Sequence, residues 1–228
     1  MRFEEILARF KQLGDPEAAA GMSRFGINTS KAYGVKVPEL RKLGKQIGSN
    51  HGLALQLWDE GSREARILAG LVADPLKMDE RLIERWAAGF SDWEVCDQTC
   101  MNLFDKTPFA IRKCFEWSKR KEEFVKRAGF ALMARLAWTA KDLTNPQIEL
   151  FFEPIKAQAV DGRNGVKKAV SWALRQIGKR NAALNLKAIA VAEEIARIDS
   201  RAARWIASDV MRELRSEAVR ERLIKKAD

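Results

Sequence analysis

The feature that most constrains the fold is a helical pattern of apolar residues along almost the whole chain. In the segment after Val37-Pro38, for example, Leu40, Leu43 and Ile47 recur at helical spacing. No segment alternates apolar and polar residues for long enough to predict a strand. Proline follows a residue able to cap a helix in four places, Asp15-Pro16, Asp74-Pro75, Thr107-Pro108 and Asn145-Pro146. The sequence predicts about twelve to fourteen helices of roughly 10–18 residues in one all-α domain spanning residues 1–228.

A weak internal repeat indicates how these helices are arranged. Segments 64–72, 125–133, 166–174 and 202–210 each place a basic residue before small and apolar ones. The basic residues are Arg66, Arg127, Lys168 and Arg204, separated by 61, 41 and 36 residues, and a helix beginning at Asp92-Trp93 falls within the first gap. Helix-pair repeats of about 35–45 residues are typical of HEAT or armadillo-like solenoids. The alternative is that segments of this kind recur by chance, as they can in any all-α protein.

The charge balance favours a polyanionic partner. The chain of 228 residues has 41 Lys and Arg against 31 Asp and Glu, a formal net charge of +10. Nucleic acid is the first interpretation and an anionic membrane surface the second, while a basic protein without such a partner is the third. Basic residues recurring on the concave wall of a solenoid would follow the phosphates of DNA.

Composition also excludes several classes of protein. The longest stretch without a charged residue is the thirteen residues Gln46–Trp58, too short for a membrane span, and the N-terminal segment carries Glu4 and Glu5, unlike a signal peptide. Three cysteines without a CxxC pair argue against a disulfide framework, and His51 is the only histidine. We therefore expect a cytoplasmic, nucleoid-associated monomer without a metal site or cofactor.

The segment 91–104 holds the most informative pair of side chains. Ser91 is a candidate helix cap, and Trp93 and Asp97 lie one turn apart on one helix face. An indole ring beside a carboxylate suits a developing cation, through cation–π attraction and charge. The alternative is a half-buried tryptophan beside a solvated acid near a helix N-terminus. Cys96 and Cys100 are predicted to pack in the core.

Two later segments supply candidate DNA contacts. In segment 122–138, apolar residues point toward the core with Lys126 and Arg127 beside them, and Arg127 suits a phosphate unless it is an ordinary surface arginine. In segment 162–180, Lys168, Trp172 and Arg175 share one face in the order basic, aromatic, basic. Aromatic residues interleaved with cations are typical of nucleic-acid binding.

Four motifs together resemble a known family. They are FGINTSKAYGVKVPELRKL at 25–43, DWEVCD at 92–97, FVKRAGFALMA at 124–134 and VKKAVSWALRQIGK at 166–179. In this order they resemble the DNA alkylation repair glycosylases of the AlkD type, which are HEAT-like repeat proteins. The resemblance covers about residues 20–180. It implies a C-shaped all-α solenoid that holds double-stranded DNA in a basic concave cleft and excises positively charged N3- and N7-alkylated purines without a metal, with the lesion left stacked.

The resemblance also implies roles for individual residues. Asp97 would stabilise the sugar oxocarbenium ion and orient the attacking water, Trp93 and Trp172 would pack against sugar and backbone, and Arg127 would hold a phosphate. Phe25 stands where the family has a tyrosine, so it keeps the ring without the hydroxyl. The residues assigned to DNA binding are Phe25, Lys126, Lys167, Lys168 and Arg175.

Three functions remain open on the sequence. The first is a monofunctional DNA glycosylase for alkylated purines. The second is a catalytically silent HEAT-like protein that binds damaged or branched DNA, and the third is a solenoid scaffold for an acidic protein.

Overall fold

The computed structural model describes residues 1–225, and throughout this range the chain forms helices and turns without a strand. The all-α prediction is therefore confirmed. The chain divides into two compact units: an N-terminal unit, Met1–Phe109, and a C-terminal unit that begins at Ala110. Whether they form one domain, as the sequence predicts, stays a prediction.

The N-terminal unit has seven α-helices. They are α1 (Phe3–Leu13), α2 (Pro16–Met22), α3 (Val37–Ile47), α4 (His51–Glu60), α5 (Arg63–Val72), α6 (Glu80–Ala88) and α7 (Trp93–Asn102). Short 3-10 turns lie at Ser23–Phe25, Pro75–Lys77 and Phe104–Lys106. Helix α5 packs against α3, α4 and α7, so it forms the centre of the unit. The stacked rings of Trp58 and Trp86, with centroids 4.1 Å apart, fill part of its core.

The C-terminal unit has eight α-helices in its described part. They are α8 (Ala110–Trp117), α9 (Glu123–Thr139), α10 (Asn145–Glu149), α11 (Phe152–Gln158), α12 (Asn164–Gly178), α13 (Ala182–Ala196), α14 (Arg201–Leu214) and α15 (Glu217–Ile224). Helix α9 is the most deeply buried, and the backbone of Gly129 lies against α8 so closely that a Cβ atom there would stand 2.7 Å from the Ser118 nitrogen. This approach requires glycine.

The repeated segments lie on helices that pack against one another in sequence. Segment 64–72 lies in α5, which packs on α7, and the three later segments lie in α9, α12 and α14, where α12 contacts both of the others. The repeat predicted from the sequence therefore corresponds to successive packed helices within each unit. This is the arrangement of a helical-repeat protein.

Two predicted helix starts agree with the structure. A carboxylate oxygen of Asp15 accepts hydrogen bonds from the backbone nitrogens of Glu17 and Ala18, and α2 begins at Pro16. Helix α3 begins at Val37, with Pro38 in its first turn. Asp74 also caps, although the element that follows is a 3-10 turn rather than an α-helix.

Other details of the helix prediction are wrong. The helix predicted to begin at Thr107-Pro108 begins only at Ala110, and the Thr107 hydroxyl donates to the Phe104 carbonyl at 2.8 Å. At Asn145-Pro146 the cap is Thr144, which forms a capping box with Gln147. The fifteen α-helices of residues 1–225 also exceed the predicted number, because turns divide the chain into pieces as short as the five residues of α10.

Candidate nucleic-acid interface

The start of α7 is fixed by Asp92 rather than by the predicted Ser91. One carboxylate oxygen of Asp92 accepts hydrogen bonds from the backbone nitrogens of Glu94 at 2.8 Å and Val95 at 3.0 Å. The other accepts from the Asn28 nitrogen at 3.4 Å. Asp92 is nearly inaccessible, and burial raises the pKa of its carboxyl group in spite of these hydrogen bonds. The prediction of Ser91 as the cap is wrong, because the adjacent aspartate reaches the helix nitrogens instead.

Helix α7 places Trp93 and Asp97 one turn apart, as the sequence predicts. Trp93 is half-buried, and its indole nitrogen donates to the Phe25 carbonyl at 2.8 Å. Asp97 is only 7% exposed, so the alternative of a solvated acid is wrong. Cys96 and Cys100 are fully buried on the same helix, as predicted. A carboxylate held at the edge of the core has less water to screen its charge, which strengthens its field on a nearby cation.

Phe25 contacts Trp93 through its backbone carbonyl. Its ring is 72% exposed, whereas its carbonyl accepts the hydrogen bond from Trp93. The 3-10 turn that presents this carbonyl ends at Gly26, whose φ of +73° is left-handed. Contact between the Phe25 ring and DNA stays a prediction.

A buried ion-pair cluster behind α7 was not foreseen in the sequence. The Arg63 guanidinium makes a double hydrogen bond with Glu94, at 2.6 Å from Nε and 2.9 Å from Nη2, and its Nη1 donates to the Val35 carbonyl. Glu64 accepts from the backbone nitrogens of Tyr33, Gly34 and Val35 at 2.9–3.2 Å. The cluster joins α5, the segment before α3 and the first turn of α7.

The predicted residues at the start of α9 are buried and bonded. Arg127 is 7% exposed and its Nη1 donates to the Gly165 carbonyl at 2.7 Å, so it is not a surface arginine. Lys126 donates to Gln158 at 2.7 Å and to Asp161 at 3.1 Å. The Arg127 bond holds α9 against the first turn of α12, whereas the Lys126 bonds link α9 to the end of α11 and to the segment that follows it. Their roles toward DNA stay predictions.

The carboxylate of Asp161 is stabilised by its cationic neighbours. The hydrogen bond from Arg163 is the largest cause that holds the pKa of Asp161 well below its ordinary value, and the bond from Lys126 acts in the same direction. Since the folded pKa lies below the unfolded one, the stabilisation is complete above the unfolded pKa and is lost as the pH falls through the folded pKa.

The recurrent basic position has a structural role in two of its four occurrences. Arg66 in α5 donates from Nη1 to the Gly89 carbonyl at 2.7 Å, shortly before α7 begins. Arg127 in α9 makes the same kind of bond to the Gly165 carbonyl at the start of α12. Lys168 and Arg204 are exposed instead. At Arg66 and Arg127, the repeated basic residue thus links its own helix to the backbone near the start of a later helix.

The residues of α12 that the sequence assigns to DNA binding differ in their exposure and in their partners. Lys168 is exposed, Trp172 is partly exposed, and the Lys167 ammonium lies 4.7 Å from the centre of the Trp205 ring. Arg175 is paired with Glu213 and lies 3.5 Å from Asp209 on α14. Because these acids compensate its charge, Arg175 is a weaker candidate for a phosphate contact than Lys168; its role stays a prediction.

The described residues give no indication of a metal centre. Within residues 1–225, no three or more His, Cys, Asp and Glu side chains are grouped so as to hold a metal ion. In the same range, no helix is both long and apolar enough to cross a membrane.

The stacked helices and the basic, aromatic side chains at their surface define a helical-repeat protein with a candidate nucleic-acid interface. The model of the family described as DNA alkylation repair enzyme matches residues 6–214. The chain belongs to this family.

Two solved structures are similar to this chain, and the first of them shows the fold. One matches with a TM-score of 0.78 and 21% identity over 94% of this chain and 96% of its own, and it is described as representing a new family of proteins related to the HEAT-like repeat DNA glycosylases with affinity for branched DNA structures. A designed armadillo repeat protein in complex with the peptide (KR)4 matches with a TM-score of 0.35 and 14% identity, over 82% of this chain and 80% of its own. No curated protein matches the sequence.

Proposed function

We propose that this protein is a DNA glycosylase that releases positively charged N3- and N7-alkylated purines from double-stranded DNA. The observation that carries the proposal is the buried carboxylate of Asp97, one helical turn after Trp93 on a helix anchored by Asp92. Membership of the DNA alkylation repair enzyme family supports it.

The chemistry of the lesion suits a carboxylate and an aromatic ring. An alkylated purine that carries a positive charge is already a good leaving group, so little acid catalysis is needed. Breaking the N-glycosidic bond moves positive charge to the deoxyribose, and the carboxylate of Asp97 would stabilise this oxocarbenium ion. The same carboxylate would orient the water that adds to the sugar carbon, while Trp93 packs against the sugar.

The C-terminal unit would hold the DNA backbone. Arg127 donates to the Gly165 carbonyl, and its planar guanidinium would bind a phosphate with its other donors. The partly exposed ring of Trp172 would contact the backbone, and the exposed ammonium of Lys168 would neutralise a phosphate.

The experiment for excision uses methylated DNA and detects the released bases. We expect the purified protein to release N3-methyladenine and N7-methylguanine faster than the same DNA loses them alone, without added metal. Release no faster than in the DNA control would contradict the proposal.

Binding to DNA should depend strongly on salt. If about five phosphates are neutralised, affinity should fall about 10²- to 10³-fold between roughly 50 and 200 mM salt. Lys168→Ala should weaken binding to all duplex sequences alike and reduce the salt slope by about one. The matched control is Lys187→Ala, because Lys187 is also exposed in the C-terminal unit but pairs with Glu149. If duplex titrations showed that both substitutions weaken binding equally, the assignment of Lys168 as a phosphate contact would be wrong.

Binding of branched DNA without excision is the second candidate function. The observation that favours it is the similarity in fold to a structure described as related to the HEAT-like repeat glycosylases and having affinity for branched DNA structures. A three-way junction bound at least tenfold more tightly than its duplex arms, with alkylated bases left in place, would favour this function over excision.

A further inference from the structure

Helix α14 carries one of the two tryptophans of residues 1–225 that are exposed, the other being Trp138 on α9. Trp205 is 39% exposed, whereas Trp58, Trp86 and Trp117 belong to the buried core. On the same helix Ala202, Ala203 and Ile206 are buried, so Trp205 lies at the outer side of the stripe that packs on α12 and α13. An indole ring in this position adds little to the core, and a large apolar ring left in water is a candidate for a contact with a partner.

The contact with Lys167 shows that the ring accepts a charged group. The Lys167 ammonium lies 4.7 Å from the ring centre, within the distance of a cation–π interaction. Lys167 is the fourth residue of α12, which begins at Asn164. A lysine on a flexible stem can exchange the ring for a nearby phosphate, because an exposed cation–π contact is worth only about 0.5–1 kcal/mol.

The charges around Trp205 are predominantly positive. Arg201 lies one turn before it on α14, and Lys168 follows Lys167 on α12; both are exposed, and neither has an ion-pair partner among residues 1–225. Arg204 pairs with Asp199 at the surface, where such pairs contribute little.

The acidic residues of the same helix are already compensated. Asp209 accepts a hydrogen bond from Ser171 at 2.7 Å, and Glu213 pairs with Arg175 and Lys179. Asp209 also pairs with Arg212 on its own helix and lies 3.5 Å from Arg175 of α12, so both carboxylates have cationic partners. The surface at Trp205 therefore combines an aromatic ring with uncompensated cations, which is the chemistry that binds a nucleic-acid strand.

We propose that Trp205 is a stacking site for an unpaired nucleotide, with Lys167, Lys168 and Arg201 binding the adjacent phosphates. The partner must be unpaired because bases inside a duplex have both faces covered by their neighbours. Stacking is tolerant of sequence, so this site would bind single-stranded DNA with little base preference. The inference rests on the DNA binding in the proposed function but does not depend on base excision.

The test measures the affinity for a twelve-nucleotide oligo(dT) labelled with a dye, by fluorescence anisotropy at fixed salt. Trp205→Ala should raise the dissociation constant roughly 5- to 140-fold, the range for losing one base–aromatic stack. Trp205→Phe keeps an aromatic face and should stay within a few-fold of the unsubstituted protein, which separates loss of stacking from loss of folding.

Trp138→Ala is the matched control. Trp138 is 54% exposed and also has an arginine, Arg135, over its ring at 5.3 Å, but it lies on α9. We expect this substitution to leave the affinity for oligo(dT) unchanged. An equal loss in Trp138→Ala, no loss in Trp205→Ala, or no binding of oligo(dT) by the unsubstituted protein would overturn the proposal.

Two further measurements separate a nucleic-acid partner from an acidic protein partner, and failure of the stacking site from failure of the proposed glycosylase. An oligoglutamate of equal charge should not displace oligo(dT) at equal concentration, and displacement would favour an acidic protein partner and overturn the proposal. Base release from alkylated duplex is measured in parallel for the unsubstituted protein and for Trp205→Ala. Absence of excision in both proteins would contradict the proposed glycosylase alone, since the oligo(dT) comparison does not use it.

Discussion

Asp97→Asn should lower the rate of base excision by about 10²- to 10³-fold, the scale for losing one preorganised electrostatic group. The substitution is nearly isosteric, so the helix and the fold should persist. The lost charge acts mainly on the transition state, so DNA affinity should change little or increase slightly, since a carboxylate repels phosphates. Single-turnover rates and dissociation constants measured on the same alkylated duplex separate the two effects.

Asp59→Asn is the charge-matched control for this experiment. Asp59 lies in the same unit, is 55% exposed and pairs with Arg85 at the surface. Its substitution changes the net charge equally and should leave excision unaffected. Because cationic purines depart spontaneously, each rate is compared with DNA alone. An unchanged rate in Asp97→Asn would refute the role of Asp97 while leaving the glycosylase activity in place.

Arg63→Ala should lower the free energy of unfolding by about 3–5 kcal/mol, the cost of removing one partner from a buried ion pair. The side chains of Arg63 and Glu64 are 3% and 0% exposed, and that of Glu94 is 12% exposed, so the substitution would leave two carboxylates without their cation at a site shielded from solvent. Because Glu94 lies next to Trp93 in the first turn of α7, excision should fall as well. Urea unfolding followed by circular dichroism measures the stability.

Arg85→Ala provides the comparison for Arg63→Ala. Arg85 pairs with Asp59, and both side chains are 55% exposed. An exposed pair of this kind contributes at most about 1 kcal/mol, so the substitution should have a small effect. A loss below about 1 kcal/mol in Arg63→Ala would show that the buried cluster does not stabilise the N-terminal unit.

The helical fold is predictable from local patterns because periodicity and caps act over a few residues. Asp15 and Val37-Pro38 mark helix starts correctly. Ser91 fails as a cap because its neighbour Asp92 competes for the same backbone nitrogens and also reaches Asn28. Sequence alone does not rank two adjacent capping residues, since the outcome depends on a contact 64 residues away.

The candidate site is predictable only where its geometry is local. The spacing of Trp93 and Asp97 determines that they share a face of α7, but their burial depends on packing. Arg63 and Glu94 are 31 residues apart, and no short motif connects them. One signal for this ion-pair cluster is present in the sequence. Arg63 and Glu64 are adjacent in a segment that is otherwise small and apolar, and charged residues in such a segment must find partners.

The central claim is tested most directly with a synthetic duplex that contains one N7-methylguanine, incubated with excess protein without metal. Free N7-methylguanine is measured over time, and DNA binding is measured in the same samples. The proposed function predicts release well above the spontaneous rate, with Asp97→Asn bound to the duplex but slow. Full binding of the duplex with release only at the spontaneous rate would contradict the claim.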